Sequence, residues 1–92
     1  MGAVKIFTRR ECPKCPAAKD VGDRLKKRGI TVIDYDLETT EGLAEAAFHG
    51  VMATPTIIVD DGQDNEVAAW RGTVPTPQEI EEELQVDHFL ST

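Results

Sequence analysis

The stretch that most limits what this chain can become is "VKIFTRRECPKCPAAKDVGDRLKKRG", Val4–Gly29. Val4–Thr8 is short, apolar and β-prone, and reads as a buried strand. Helical spacing follows from about Pro13 to Arg28, with Ala17, Ala18, Val21 and Leu25 on one face. Lys26, Lys27 and Arg28 crowd the last turn, where the helix dipole is negative, and Gly29 ends it. The chain's only two cysteines, Cys12 and Cys15, lie at this strand-to-helix junction.

The rest extends the pattern. Ile30–Leu37 alternates at Ile33, Tyr35 and Leu37 and predicts a second strand. Thr40–His49 predicts a short helix with Leu43, Ala46, Ala47 and Phe48 facing inward and Gly50 as its stop. "ATPTIIVD" (Ala53–Asp60) predicts a third strand beginning after Pro55, joined through the turn Asp61–Asn65 to a fourth at Glu66–Gly72. Thr76–Gln85 predicts an amphipathic helix with Thr76 as N-cap, Pro77 at N1 and Glu79 completing a capping box, while Ile80 and Leu84 face inward. The order β-α-β-α-β-β-α implies an α/β fold. Its first two strands are parallel through a right-handed crossover, the later hairpin is antiparallel, and helices cover both faces of a four-stranded mixed sheet.

With 92 residues, one domain is expected, placed at 1–86 with a C-terminal tail at 87–92. The net charge of −7 argues against a nucleic-acid surface. The charge is unevenly placed: residues 1–28 hold nine of the ten basic residues and three acids, so that segment is +6 and the remainder −13. The cysteines therefore sit in a locally positive part of an acidic protein. No apolar run approaches membrane-spanning length, and Lys5 and Arg9 break the opening residues, so no signal peptide and a cytoplasmic location are expected. In the cytoplasm a close cysteine pair points to catalysis or metal binding rather than to a structural staple.

Three readings of Cys12-Pro13-Lys14-Cys15 compete. As a redox couple, Cys12 would cap the helix with Pro13 as its first residue. Free backbone N–H groups, the positive dipole end, Arg9, Arg10 and Lys14 would then favour the thiolate. As a zinc site the pair would need more ligands, and His49 and His88 lack the short spacing of finger-type sites. A copper-binding domain also places such a pair after a first strand, but its element order differs from this one. Buried structural cysteines are the third reading. Pro16 sits in the first helical turn, where a missing N–H costs little.

The chain resembles the thioredoxin superfamily, and in particular its small glutaredoxin-like members. The resemblance rests on "VKIFTRRECPKC", on "ATPT" before the third strand, on "WRG" ending the fourth, and on the element order from Val4 to about Gln85. It implies a thioredoxin-like fold and a dithiol–disulfide oxidoreductase with Cys12 as nucleophile and Cys15 as resolving thiol. It also implies a cis bond before Pro55 and a Thr54 backbone that pairs with substrate. Arg10, Pro13, Lys14 and Trp70 are expected around the site, although Trp70 also reads simply as a packing residue.

Two departures narrow the reading. The position six residues ahead of the first cysteine, a buried carboxylate in thioredoxins proper, is Ile6 here. The stretch after the fourth strand, "RGTVPTP", lacks the paired glycines and acids of many glutathione-using relatives, which implies weak glutathione coupling. "WRGTVPTPQEI" is instead similar to redoxins that serve ribonucleotide reductase. The expected partners are a protein disulfide, ribonucleotide reductase among the candidates, and a flavin-dependent reductase such as thioredoxin reductase. No cofactor is expected, nor nucleic acid or membrane, and the chain is expected to be a monomer. The alternative function is a soft-metal module binding Cu(I) or Zn through the same two cysteines.

Overall fold

The computed structural model describes residues 2–63 and 65–91, with side-chain surroundings as far as Leu84. The elements are β1 (Ala3–Thr8), α1 (Cys15–Lys27), β2 (Val32–Asp36), α2 (Thr40–Phe48), β3 (Thr56–Asp60), β4 (Glu66–Arg71) and α3 (Pro77–Ser91). This is the predicted order. α3 continues past its predicted end at Gln85 through most of the segment expected as a tail.

The sheet order is β2-β1-β3-β4. β1 and β2 are parallel, with Phe7 opposite Tyr35, as a strand–helix–strand unit requires. β1 and β3 are antiparallel, with Phe7 opposite Thr56 and Ala3 opposite Asp60. The β3–β4 hairpin pairs Ile57 with Trp70 and carries an irregularity at Val59/Asp60.

The two central strands are buried on both faces, because strand side chains alternate between them. Val4, Ile6, Ile57 and Val59 pack with Ala18, Val21 and Leu25 of α1 and Ile80 of α3. Phe7 and Ile58 point the other way, against Ala46 of α2, Tyr35 and Leu37. Fully burying each large aliphatic side chain contributes about 1.5–3 kcal/mol, so these layers supply most of the stabilisation. Gly22 lets α1 lie close on β1, since a Cβ there would come within 2.7 Å of Ile6 Cδ1.

The termini of α1 and α3 follow the sequence signals. Gly29 has φ +81° after Arg28 at the C-cap of α1, and the Glu79 N–H donates to Thr76 Oγ at 3.1 Å at the start of α3. Three expected faces are corrected. Ala17 is exposed, and Cys15 and Gly22 join Ala18, Val21 and Leu25 on the buried face of α1. Ile33 is 38% exposed on β2, which is an edge strand.

On α2, only Ala46 of the four apolar residues expected inside is buried; Leu43, Ala47 and Phe48 face outward. The face turned to the sheet is instead Gly42, Glu45, Ala46 and His49, at spacings of three and four. Two constraints orient it. A Cβ at position 42 would lie 1.9 Å from the Asp36 carbonyl oxygen, so the glycine must face β2. The buried Lys5 of β1 requires a carboxylate from above, and Glu45 supplies it. Thr39 fixes the helix start by accepting a hydrogen bond from the Gly42 N–H at 3.0 Å.

Candidate active site

One end of the sheet gathers the candidate residues. β1 leaves the sheet at Thr8 into the cysteine loop, and Phe7 pairs with Thr56 directly after Pro55. Thr56 in turn pairs with Arg71, so the Trp70–Gly72 segment ends at the same place. The antiparallel register brings these distant stretches of chain together.

Cys12 and Cys15 are joined in a disulfide, with their Cα atoms 5.3 Å apart. Cys15 is the first residue of α1 and is 3% exposed; Cys12 is half-buried. The expected N-cap position is corrected. The N-cap is Lys14, whose carbonyl accepts from the Ala18 N–H, and its side chain makes no capping bond. Pro13 is not helical, and Pro16 is the proline at the helix start. The reason is a turn ahead of the helix: the Cys15 N–H donates to the Cys12 carbonyl at 3.2 Å. Pro13 suits the second position of such a turn, because its ring holds φ where the turn needs it. Cys12 thus lies one turn before the positive end of the helix dipole, linked through sulfur to its first residue.

The loop before Cys12 is held by Glu38, which follows β2. Its Oε2 accepts from the Arg10 backbone N–H at 3.2 Å and lies 3.4 Å from Arg10 Nε. Glu11 adopts φ +56°, the left-handed region that non-glycine residues seldom occupy. This turns the chain out of the β1 direction just before the first cysteine.

The Thr54–Pro55 bond is cis, as the resemblance implied. Thr56 Oγ donates to the Ala53 carbonyl at 2.7 Å, and the Pro55 carbonyl accepts from the Gly72 N–H at 2.8 Å. Pro55 is buried and Thr54 half-buried. Trp70 is half-buried and packs on the α1/α3 core, which is its packing reading. Ile6 is fully buried in the same apolar layer.

Sequence reasoning missed a polar cluster on the α2 face. Lys5 Nζ lies 3.0 Å from Glu45 Oε2, 3.2 Å from Asp60 Oδ2 and 3.1 Å from His49 Nε2, which accepts because an ammonium can only donate. Burial lowers the lysine pKa, but hydrogen bonds to Glu45 and Asp60 outweigh it and leave it raised above the ordinary value. The Lys5 hydrogen bond holds the Glu45 carboxyl below the usual range against its own burial. Burial, then the bond to Glu45, raises the Tyr35 phenol. The available signal was a lysine inside an apolar strand, with Glu and His four apart on a facing helix.

His49 is committed to this cluster, and the His88 side chain lies outside the described residues. Among the described residues, no group of three or more His, Cys, Asp or Glu side chains is placed to hold a metal ion. No described helix is long and apolar enough to cross a membrane.

A four-stranded mixed sheet, a disulfide opening the first helix and a cis-proline loop at the same sheet end define a thiol–disulfide oxidoreductase of thioredoxin fold. The thioredoxin domain family matches residues 3–85, and the chain belongs to that family. A probable thioredoxin of Archaeoglobus fulgidus is 36% identical over 62 residues, which span 66% of this chain and 68% of that one. A thioredoxin of Methanocaldococcus jannaschii is 31% identical over 58 residues, 62% of this chain and 68% of that one. Among solved structures, thioredoxin 1 from Thermosipho africanus TCF52B superposes with a TM-score of 0.73 at 19% identity, covering 97% of both chains. That last likeness is one of fold.

Proposed function

We propose that the chain carries electrons to protein disulfides, with Cys12 as nucleophile and Cys15 as resolving thiol. The reduced Cys12 thiolate attacks one sulfur of the substrate disulfide. A mixed disulfide forms and the other substrate sulfur leaves as a thiolate. The Cys15 thiolate then attacks Cys12 sulfur, releasing the second substrate thiolate and closing the Cys12–Cys15 bond. Two electrons have passed to the substrate. A flavin-dependent reductase such as thioredoxin reductase returns the pair to the dithiol. The Thr54 backbone and Pro55 receive the substrate strand beside the sulfurs, and Arg10, Pro13 and Lys14 shape the entrance.

The observation that carries this reading is the unequal burial of the two sulfurs' residues: Cys15 is 3% exposed, and Cys12 is the accessible partner. Ribonucleotide reductase is a candidate substrate, the cytoplasm the compartment and the monomer the working form. The "RGTVPTP" segment supports a protein reductase over glutathione as electron source. The glutaredoxin-like placement rests on "VKIFTRRECPKC", "ATPT" and "WRG", whereas the named relatives are thioredoxins.

The test is trapping. Cys15→Ser should accumulate a mixed disulfide through Cys12 with an oxidised protein substrate, and Cys12→Ser should accumulate none. The reverse pattern would exchange the two roles. Loss of all disulfide exchange, with Cu(I) or Zn uptake that depends on both cysteines, would favour the metal-binding alternative.

A further inference from the structure

Most of the basic residues are neutralised within the fold. Lys5, Arg10, Arg24, Lys26, Arg28 and Arg71 each have a carboxylate partner. Among the described residues, Arg9, Lys14, Lys19 and Lys27 have none within 4.0 Å. Three of these four surround the disulfide in the chain: Arg9 precedes Cys12, Lys14 lies between the cysteines, and Lys19 follows Cys15 by about one helical turn. Lys27, at the far end of α1, is the exception. Asp36 shares a hollow with Arg9 and Lys19 without pairing with either. Arg10 joins the set in part, since its side chain is 88% exposed despite the Glu38 contact.

An open groove of about 660 Å3 is lined by Arg9, Arg10, Glu11, Leu37, Glu38 and Leu43, of which Glu11 precedes Cys12 in the chain. Its lining combines two arginines, two glutamates and two leucines. Further along the chain, α2 and the stretch before Pro55 also expose apolar side chains, with Leu43 57%, Phe48 65% and Met52 95% exposed. These are three of the four large apolar side chains exposed among the described residues, and Leu43 lines the groove itself.

We propose that this groove is a docking surface that selects protein substrates whose disulfide is flanked by acidic and apolar residues in an extended segment. The inference rests on the oxidoreductase reading above and adds the partner's chemistry. The partner's carboxylates meet Arg9 and Arg10, and an apolar side chain lies over Leu37 and Leu43. An acidic partner is otherwise repelled by a chain of net charge −7, so Arg9 and the largely exposed Arg10 direct it to the disulfide end.

The experiment mixes fully reduced protein with two peptides, each closed by one internal disulfide and differing only in flanks: Glu with Leu, or Lys with Leu. Rate constants are read by stopped flow at low salt. The Glu peptide should react about fivefold faster, as two exposed ion pairs allow. Arg9→Gln/Arg10→Gln and 0.5 M salt should each bring the ratio toward one. Equal rates for the two peptides in the unaltered protein, or a preference that survives both treatments, would overturn the docking proposal and leave the oxidoreductase reading intact. Glutathione disulfide reacting as fast as the Glu peptide would show that a small free carboxylate suffices, and would also overturn it. Turnover of neither peptide would remove the oxidoreductase reading, and the docking surface with it.

Discussion

Glu45 Oε2 accepts two hydrogen bonds at once, from Lys5 Nζ at 3.0 Å and from Tyr35 OH at 3.1 Å. One carboxylate oxygen of α2 therefore ties together β1 and β2. Tyr35 also stacks on Phe7, with ring centroids 5.1 Å apart, so the polar bridge and the aromatic pair restrain the same strands. Asp60 brings β3 to the same lysine.

The first prediction concerns that lysine. Lys5→Met should destabilise the protein by about 3–5 kcal/mol, because the buried Asp60 and the Glu45 carboxylate lose the cation between them. Urea denaturation of the reduced protein reads the change. A loss under 1 kcal/mol would mean that the cluster relaxes into water.

The second concerns pH. The folded-state pKa of Glu45 lies below its ordinary value, so its contribution is complete above the unfolded pKa, near 4.5. As pH falls through that value and on through the folded pKa, the unfolded state takes up the proton first and the contribution is lost. Stability should therefore drop on acidification below about pH 4.5, and Glu45→Gln should lessen the slope. Denaturant midpoints from pH 6 downward measure it. An unchanged slope would assign the acid loss to other carboxylates.

The third concerns Glu11 and its φ of +56°. Glycine enters that region without a Cβ clash, which costs other residues roughly 1–2 kcal/mol. Its greater freedom in the unfolded chain offsets part of the gain. Glu11→Gly should leave stability equal or raise it by up to about 1 kcal/mol, whereas Glu11→Val should lower it by at least about 1 kcal/mol. Thermal unfolding of the three proteins side by side decides. Equal stability of Gly and Val would show that the loop leaves this conformation freely.

The fourth concerns the reduced cysteines. Iodoacetamide at neutral pH should modify Cys12 roughly tenfold faster or more than Cys15, since thiolate character and access set the rate. Peptide mapping of briefly quenched samples gives the order. Faster labelling of Cys15 would reverse the assigned roles.

Much of this was legible in the sequence, because local signals coincided with the final structure. The apolar run Val4–Thr8, the Cys-x-x-Cys at a strand-to-helix junction, Gly29 and Gly50 after helices, and Thr76 as N-cap each depend on few neighbours. Together they sufficed for the element order, the parallel first pair and the identity of the two cysteines.

What the sequence could not decide depended on which distant residues meet. The later start of α1, at Cys15 instead of Pro13, is by contrast a local effect: Pro16 has no N–H to give the Cys12 carbonyl, which accepts from the Cys15 N–H in a turn instead. Apolar periodicity placed Leu43, Ala47 and Phe48 inside α2. The actual inner face is the small and polar one, because Gly42 must clear the Asp36 carbonyl and Glu45 must reach Lys5, forty residues away in the chain. Likewise, Arg10 finds Glu38 while Arg9 and Lys14 find no carboxylate among the described residues, which is a property of the packed sheet and not of any window of sequence. Side-chain periodicity reports how a segment divides between oil and water. Which buried charge must be matched, and from which element, is set only when the strands are in register.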